Sequence, residues 1–256
     1  FDDVTDLMSA QRMAAWGDVA RRIAHEIKNP LTPIQLSAER LKRRYLKQIK
    51  EDPETFTICT DTIIRQVGDI GRMVDEFSSF ARMPRPTVKP EDAKELCQQA
   101  LFLQRQGNPE LRYVTTLPDG PVALVCDRRQ VSQVLTNILK NSAEAIEGRE
   151  AAPGETLPTG EITLTLRDDG AMVRIVVEDN GKGLPKEHRE RLTEPYMTTR
   201  SKGTGLGLAI VKKIMEDHGG HLALDDREGG GARISLVFRR DAKEIASARA
   251  SAAAAQ

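Results

Sequence analysis

His25, Glu26 and Asn29 fall within five positions of one another in the run His25-Glu26-Ile27-Lys28-Asn29-Pro30-Leu31. An imidazole in water beside a carboxylate and an amide suits proton or phosphoryl chemistry rather than packing. Ala20, Ile23, Ile27, Leu31, Ile34, Ala38, Leu41 and Tyr45 recur in steps of three and four around it, which predicts one apolar stripe on a helix. At about 100° per residue, His25 lies roughly 200° from Ile23, away from that stripe. Asn29, four residues on, shares its side. Pro30 and Pro33 each remove a main-chain donor, so a bend just past His25 is expected.

Three more clusters invite a ligand. Asp179-Asn180-Gly181-Lys182-Gly183-Leu184 follows a predicted strand. Gly181 and Gly183 allow a sharp turn and close approach to a planar ligand, and the Asp179 carboxylate can accept from an exocyclic amine such as adenine's. Gly203-Thr204-Gly205-Leu206-Gly207-Leu208 opens a helix, so its N–H groups and the helix dipole favour a phosphate. Its spacing is G-x-G-x-G and no βαβ unit starts there, which excludes a dinucleotide fingerprint. Arg200 and Lys202, just upstream, could neutralise phosphate charge; otherwise they belong to an ordinary charged loop. Asn137 and Asn141 share one face of a predicted helix, with Lys140 and Glu144 close by. An Asn carbonyl is a hard oxygen that could hold Mg²⁺ bridging nucleotide phosphates; taken singly, either amide could equally serve as a cap or a surface group.

The elements that position these groups fall into two styles. The His25 helix is expected to run to about Lys47. A turn at Glu51-Asp52-Pro53 leads to a second helix with Phe56, Cys59, Ile63, Val67, Ile70, Val74, Phe77 and Ala81 on one stripe. Two stripes alone make a thin core, so two such hairpins are expected to pair into a dimeric four-helix bundle. Met83-Pro84-Arg85-Pro86-Thr87-Val88-Lys89-Pro90 has three prolines in eight residues, and 84–90 is predicted to be a semi-rigid linker. A mixed rhythm follows. Helices are predicted at Ala93–Gln104, Arg128–Ile146 and Leu206–Asp217. Strands are predicted at Tyr113–Leu117, Val122–Cys126, Glu161–Leu166, Val173–Glu178, His221–Leu224 and Arg233–Phe238. The Ala-rich tail after Asp241 is expected to be frayed or disordered.

Composition bounds the function. Lys plus Arg and Asp plus Glu both number 38 in 256 residues, so charge gives no general drive toward nucleic acid or an anionic membrane. Cys59, Cys97 and Cys126 form neither a metal-spaced cluster nor an even disulfide set, as expected in a reducing cytosol. No apolar run reaches membrane-spanning length. The chain begins at Phe1 rather than Met and is expected to be cut from something longer.

The order of these boxes resembles the two-component sensor histidine kinases: a histidine-proline box in a helical hairpin, an Asn box, a D-x-G-x-G box and a G-x-G-x-G box. The likeness covers roughly Ala15 to Arg239. Within the family, the run from Ala24 to Ile34 and that from Glu194 to Lys202 are most similar to nitrogen-regulation sensors, and Phe1–Thr5 resembles the end of a PAS sensor domain. Thr193 and Tyr196 replace phenylalanines common in the lid, and Gly229-Gly230-Gly231-Ala232-Arg233-Ile234 departs from a late G-x-G-T-x-F pattern. The resemblance implies five segments: a signalling linker end at 1–14, a dimerising phosphotransfer hairpin at 15–83, the linker at 84–90, an ATP-binding α/β sandwich of the GHKL (Bergerat) type at 91–240, and the tail at 241–256. It implies ATP and Mg²⁺, with Asp179 on adenine, Asn141 on the metal and the glycines of 203–207 on the triphosphate beneath a lid. His25 would attack the γ-phosphorus with Glu26 taking its proton, and the phosphoryl group would pass to an aspartate of a response-regulator receiver. Asn29 would orient water for dephosphorylation of that receiver. A homodimer is implied, no nucleic acid, and a bacterial inner-membrane anchor only through segments outside this chain. The competing readings are a GHKL ATPase without phosphotransfer, which needs no His hairpin, and a non-catalytic dimeric scaffold, which needs no nucleotide boxes.

Overall fold

The computed structural model describes residues 5–81, 83–151, 156–187, 189–195, 197 and 205–240, and for 5–21 the backbone alone. The described residues form two compact units, one up to Pro84 together with Gly205 and Leu206, the other from Arg85 onward without those two.

The first is a helical hairpin. Helix α1 (Thr5–Tyr45) stays helical through Pro30 and Pro33, and α2 (Pro53–Ala81) packs back along it. The prolines leave the carbonyls of Glu26 and Asn29 without their usual main-chain donors. Between the helices Asp52 takes positive φ (51°), and its carboxylate accepts from the Thr55 N–H at 3.1 Å to start α2. The face of α1 turned to α2 is centred on the small residues Ala24 and Ala38, and α2 answers with Val67, Val74, Thr60 and Ser78. Lys28–Asp75 and Lys42–Asp61 ion pairs tie the helices together. This shifts the expected packing. Ile23, Ile27, Ile34, Leu41 and Tyr45 of the predicted stripe remain 38–47 % exposed, as do Ile63 and Ile70 of α2 at 43 % and 41 %. Small residues permit close helix approach, so the large ones flank the contact and form an open apolar face.

The second unit layers helices on a mixed sheet. Its elements are β1 (Lys89–Asp92), α3 (Ala93–Gly107), β2 (Arg112–Thr116), β3 (Ala123–Cys126), α4 (Arg128–Glu147), β4 (Glu161–Asp168), β5 (Met172–Asp179), a 3-10 turn at Arg189–Arg191, α5 (Gly207–Asp217), β6 (His221–Asp226) and β7 (Ala232–Arg239). The five-stranded sheet has the order β2-β4-β5-β7-β6, with β2 parallel to β4 and the remaining pairs antiparallel. Strand β1 begins at Lys89, inside the predicted linker, and pairs antiparallel with β3, Pro90 opposite Val125. A proline is tolerated there because a two-stranded ribbon leaves its missing donor on an edge.

Strand alternation puts Ile162, Leu164 and Leu166 of β4, Val173, Ile175 and Val177 of β5, and Ile234, Leu236 and Phe238 of β7 on one face, all 0–4 % exposed. Helix α4 covers this face with Val131, Val134, Leu135, Ile138 and Leu139, each 0 % exposed, and α3 and α5 also pack on the sheet. Each such aliphatic contributes about 1.5–3 kcal/mol of burial. Cys97 and Cys126 lie in this interior, and burial pushes both thiols up to about 12, so they are inert packing groups.

Candidate functional site

Asp179 continues the apolar row Val173-Ile175-Val177 by one more step of two, so strand geometry alone carries a carboxylate into the core face. It is 2 % exposed. Its Oδ1 accepts from the N–H of Gly181 at 2.9 Å and of Ala232 at 3.3 Å. Burial pushes its carboxyl above the usual range, opposed by those N–H groups, the nearby Ser142 hydroxyl and the Arg227 charge. Ser142 on α4 is 1 % exposed, and its hydroxyl reaches no partner at regular hydrogen-bond geometry. The raised Asp179 carboxyl with the Ser142 hydroxyl beside it puts polar atoms at the end of an apolar strand row, which suits a planar heterocycle bearing an amine.

The glycines here answer to close approach. A Cβ on Gly181 would lie 2.7 Å from the Ala145 main chain of α4. Gly183 has φ +79° and faces Gly231. Gly231, at φ +102°, is the tightest: a Cβ there would come within 1.8 Å of the Asp179 carbonyl oxygen. The sequence showed its glycine run but not this need, which arises only when the start of β7 is laid beside the end of β5. Asn180 acts as a strut rather than a ligand group, accepting from the Glu161 N–H at 2.8 Å and donating to the Thr159 carbonyl at 2.9 Å.

Asn137 and Asn141 both meet the start of α5. The Asn137 Nδ2 donates to the Gly207 carbonyl at 3.4 Å, and a Cβ on Gly207 would sit 3.8 Å from the Asn141 amide. The structure therefore brings these two amides to a helix N-terminus, where free N–H groups and the dipole attract an anion. Lys140 pairs with Glu144 at 3.8 Å on the exposed side of α4. Gly205 has φ +70°, Leu206 is 0 % exposed and Leu208 is partly buried. Arg200, Lys202, Gly203 and Thr204, with Tyr196 of the predicted lid, lie outside the described residues.

On the hairpin, His25, Glu26 and Asn29 are all exposed. Glu26 accepts from Arg22 Nε at 3.0 Å, an i,i+4 ion pair open to solvent and hence weak.

Comparison with known proteins agrees with this arrangement. Residues 15–86 match the His Kinase A (phospho-acceptor) domain, and residues 126–242 match the histidine kinase-, DNA gyrase B- and HSP90-like ATPase domain. The chain belongs to the sensor histidine kinases. Over 94 % of its length it is 59 % identical to the nitrogen regulation protein NtrY of Azorhizobium caulinodans and 42 % identical to an NtrY-like sensor histidine kinase of Rickettsia conorii. It spans 31 % and 38 % of those proteins, about a third of their length. Among solved structures, histidine kinase ThkA in complex with response regulator protein TrrA matches with a TM-score of 0.62 at 27 % identity, over 94 % of this chain and 68 % of that one. Full-length ShkA in complex with AMPPNP shares the fold, with a TM-score of 0.65 at 22 % identity over 89 % of this chain and 47 % of that one. The phospho-acceptor domain implies dimerisation, and the ATPase domain implies ATP binding. Among the described residues no helix is long and apolar enough to cross a membrane.

Proposed function

We propose that this chain is the kinase core of an NtrY-like sensor, phosphorylating itself on His25 and passing the phosphoryl group to an aspartate of an NtrX-like receiver. The observation that carries the reading is an exposed imidazole on the same chain as a buried carboxyl, Asp179, and a helix N-terminus, that of α5, which both pack against α4. ATP would place its adenine against Asp179 and Ser142, beside the glycine turns 181–183. Its phosphates would lie toward Asn137, Asn141 and the glycines of 203–207, with Arg200, Lys202, Thr204, Leu206 and Leu208 in the same loop and helix start. Asn141 supplies a hard oxygen suited to Mg²⁺, whose chemistry when bound is to neutralise charge on the phosphates. Lys140 and Glu144 flank that amide on α4.

In the transfer step an imidazole nitrogen lone pair forms the N–P bond as the bond from the γ-phosphorus to its bridging oxygen breaks, releasing ADP. Glu26 takes the imidazole proton and supports the cation while it lasts, and for this it must leave Arg22. Asn29, one turn along, orients water for hydrolysis of the phosphorylated receiver. Residues 15–83 serve as the phosphotransfer hairpin and 91–240 as the ATP-binding domain. A membrane anchor would be supplied by segments outside this chain. The deciding experiment incubates the wild type and His25→Gln with labelled ATP. The wild type is expected to gain an acid-labile phosphoryl group and the variant none. Undiminished labelling of the variant overturns the assignment, and sustained ATP turnover without phosphoprotein favours a plain ATPase.

A further inference from the structure

Helices α4 and α5 run antiparallel and are tied at both ends. At the phosphate end, Asn137 reaches the Gly207 carbonyl. At the other end, His218 follows α5 by one residue and bridges back to the start of α4. Its Nε2 accepts from the main-chain N–H of Asp127 at 3.0 Å, so its proton sits on Nδ1, which donates to the Ile214 carbonyl at 2.8 Å. The ring stands edge-on to the buried Phe238, with centroids 6.4 Å apart, which fixes its plane.

Asp127 is a rigid anchor for such a tie. It is 3 % exposed and caps α4 by accepting from Arg129 and Gln130 N–H at 3.0 and 3.3 Å through Oδ1. Its Oδ2 accepts from the Thr87 N–H at 2.9 Å. Burial pushes this carboxyl up, but the three N–H groups and Arg129 outweigh it, leaving the group below its usual range and ionised. One imidazole thus caps the last turn of α5 and locks it to the capped first turn of α4.

We propose that His218 is a positioning residue for the phosphate end of the nucleotide site: it fixes the slide of α5 along α4 and thereby the distance between Gly207 and Asn141. This inference rests on the nucleotide reading of that site. The far tie fixes the C-terminal end of α5 against the start of α4, so its loss loosens the axial position of α5 at that end and with it the setting of Gly207. A shift near 1 Å is enough to misplace phosphate contacts. The adenine end is built on β5, β7 and Ser142 instead, and does not depend on α5.

The test measures equilibrium binding of Mg-ATP and of adenosine to the full chain, with thermal melting as a check of fold. His218→Gln keeps an acceptor at the reach of Nε2, His218→Asn keeps only the group facing Ile214, and His218→Phe keeps only ring packing. Gln is expected to bind both ligands as the wild type does. Asn and Phe are expected to lose about tenfold in ATP affinity, the worth of one good hydrogen bond, with adenosine unchanged. A general loosening of the fold would weaken adenosine equally, and that result overturns the inference, as does wild-type ATP affinity in either Asn or Phe. Failure of the wild type itself to bind ATP would instead remove the nucleotide reading on which the inference stands.

Discussion

Asp179→Asn should separate binding from stability in opposite directions. In the wild type Oδ1 is claimed by two main-chain N–H groups, Gly181 at 2.9 Å and Ala232 at 3.3 Å. Those donors will hold the carbonyl oxygen of an asparagine in the same place, so the new NH₂ must take the position of Oδ2, the oxygen left for a ligand. A donor then faces the exocyclic amine of adenine, which is also a donor. Loss of a charge-assisted hydrogen bond costs about 1.5–3 kcal/mol, and a buried donor left unsatisfied costs a further 1–3 kcal/mol or so. At about 1.4 kcal/mol per factor of ten, adenosine and ATP affinity should both fall at least about 60-fold. Stability without ligand should hold or rise, because burial already pushes this carboxyl above its usual range. The sign follows from linkage. A carboxyl with a raised folded pKa is bound to its proton more tightly when folded, so its contribution is fully present below the ordinary carboxylate range. That contribution is lost as pH climbs through the raised value. The variant lacks the group and should lack that decline. Calorimetric titration with adenosine and thermal melts from pH 4 to 8 read both effects. Unchanged adenosine affinity in a folded variant refutes the adenine assignment, and a variant less stable across the whole range refutes the burial argument.

Two further outcomes probe the scaffold. Gly231→Ala forces a Cβ to within 1.8 Å of the Asp179 carbonyl at φ +102°, so it should cost about 3 kcal/mol or more by chemical denaturation, whereas Gly120→Ala, with nothing within 4 Å, should stay within about 0.5 kcal/mol; equal effects would show that the approach of β7 to β5 is not what demands glycine. Ile63→Glu with Ile70→Glu places charge on the open apolar face of α2, and light scattering should show at least about a 100-fold weaker dimer, since each buried isoleucine is worth about 1.5–3 kcal/mol; a dimer of unchanged affinity would put the interface elsewhere on the hairpin.

Much of this was legible before any coordinates. The three-and-four spacing that ends at Tyr45 and restarts after Pro53 is a local signal, and both helices formed where it lies. Alternation in Val173-Arg174-Ile175-Val176-Val177 likewise set β5 and the face on which Asp179 falls. His25 is exposed as expected, but not because it lies opposite a buried stripe: Ile23 is itself 38 % exposed, and the buried residue of that turn is Ala24.

Other features depend on elements distant in sequence. The stripe of Ile23, Ile27 and Ile34 was visible, but small residues at Ala24 and Ala38 decided which side of α1 meets α2. Strand β1 escaped notice because its prolines read as a linker, and only pairing with β3 makes Lys89–Asp92 extended. Gly231 looked like one glycine of three until the end of β5 lay 1.8 Å from its missing Cβ. His218 carried no signal in the sequence, because its partner Asp127 is 91 positions away. Sequence by itself determined the helices, strands, boxes and family likeness, because each is written in residue types at short range. The slide of α5 on α4, the polar surroundings of Asp179 and the open face of the hairpin were set only by tertiary packing, where distance in space is independent of distance along the chain.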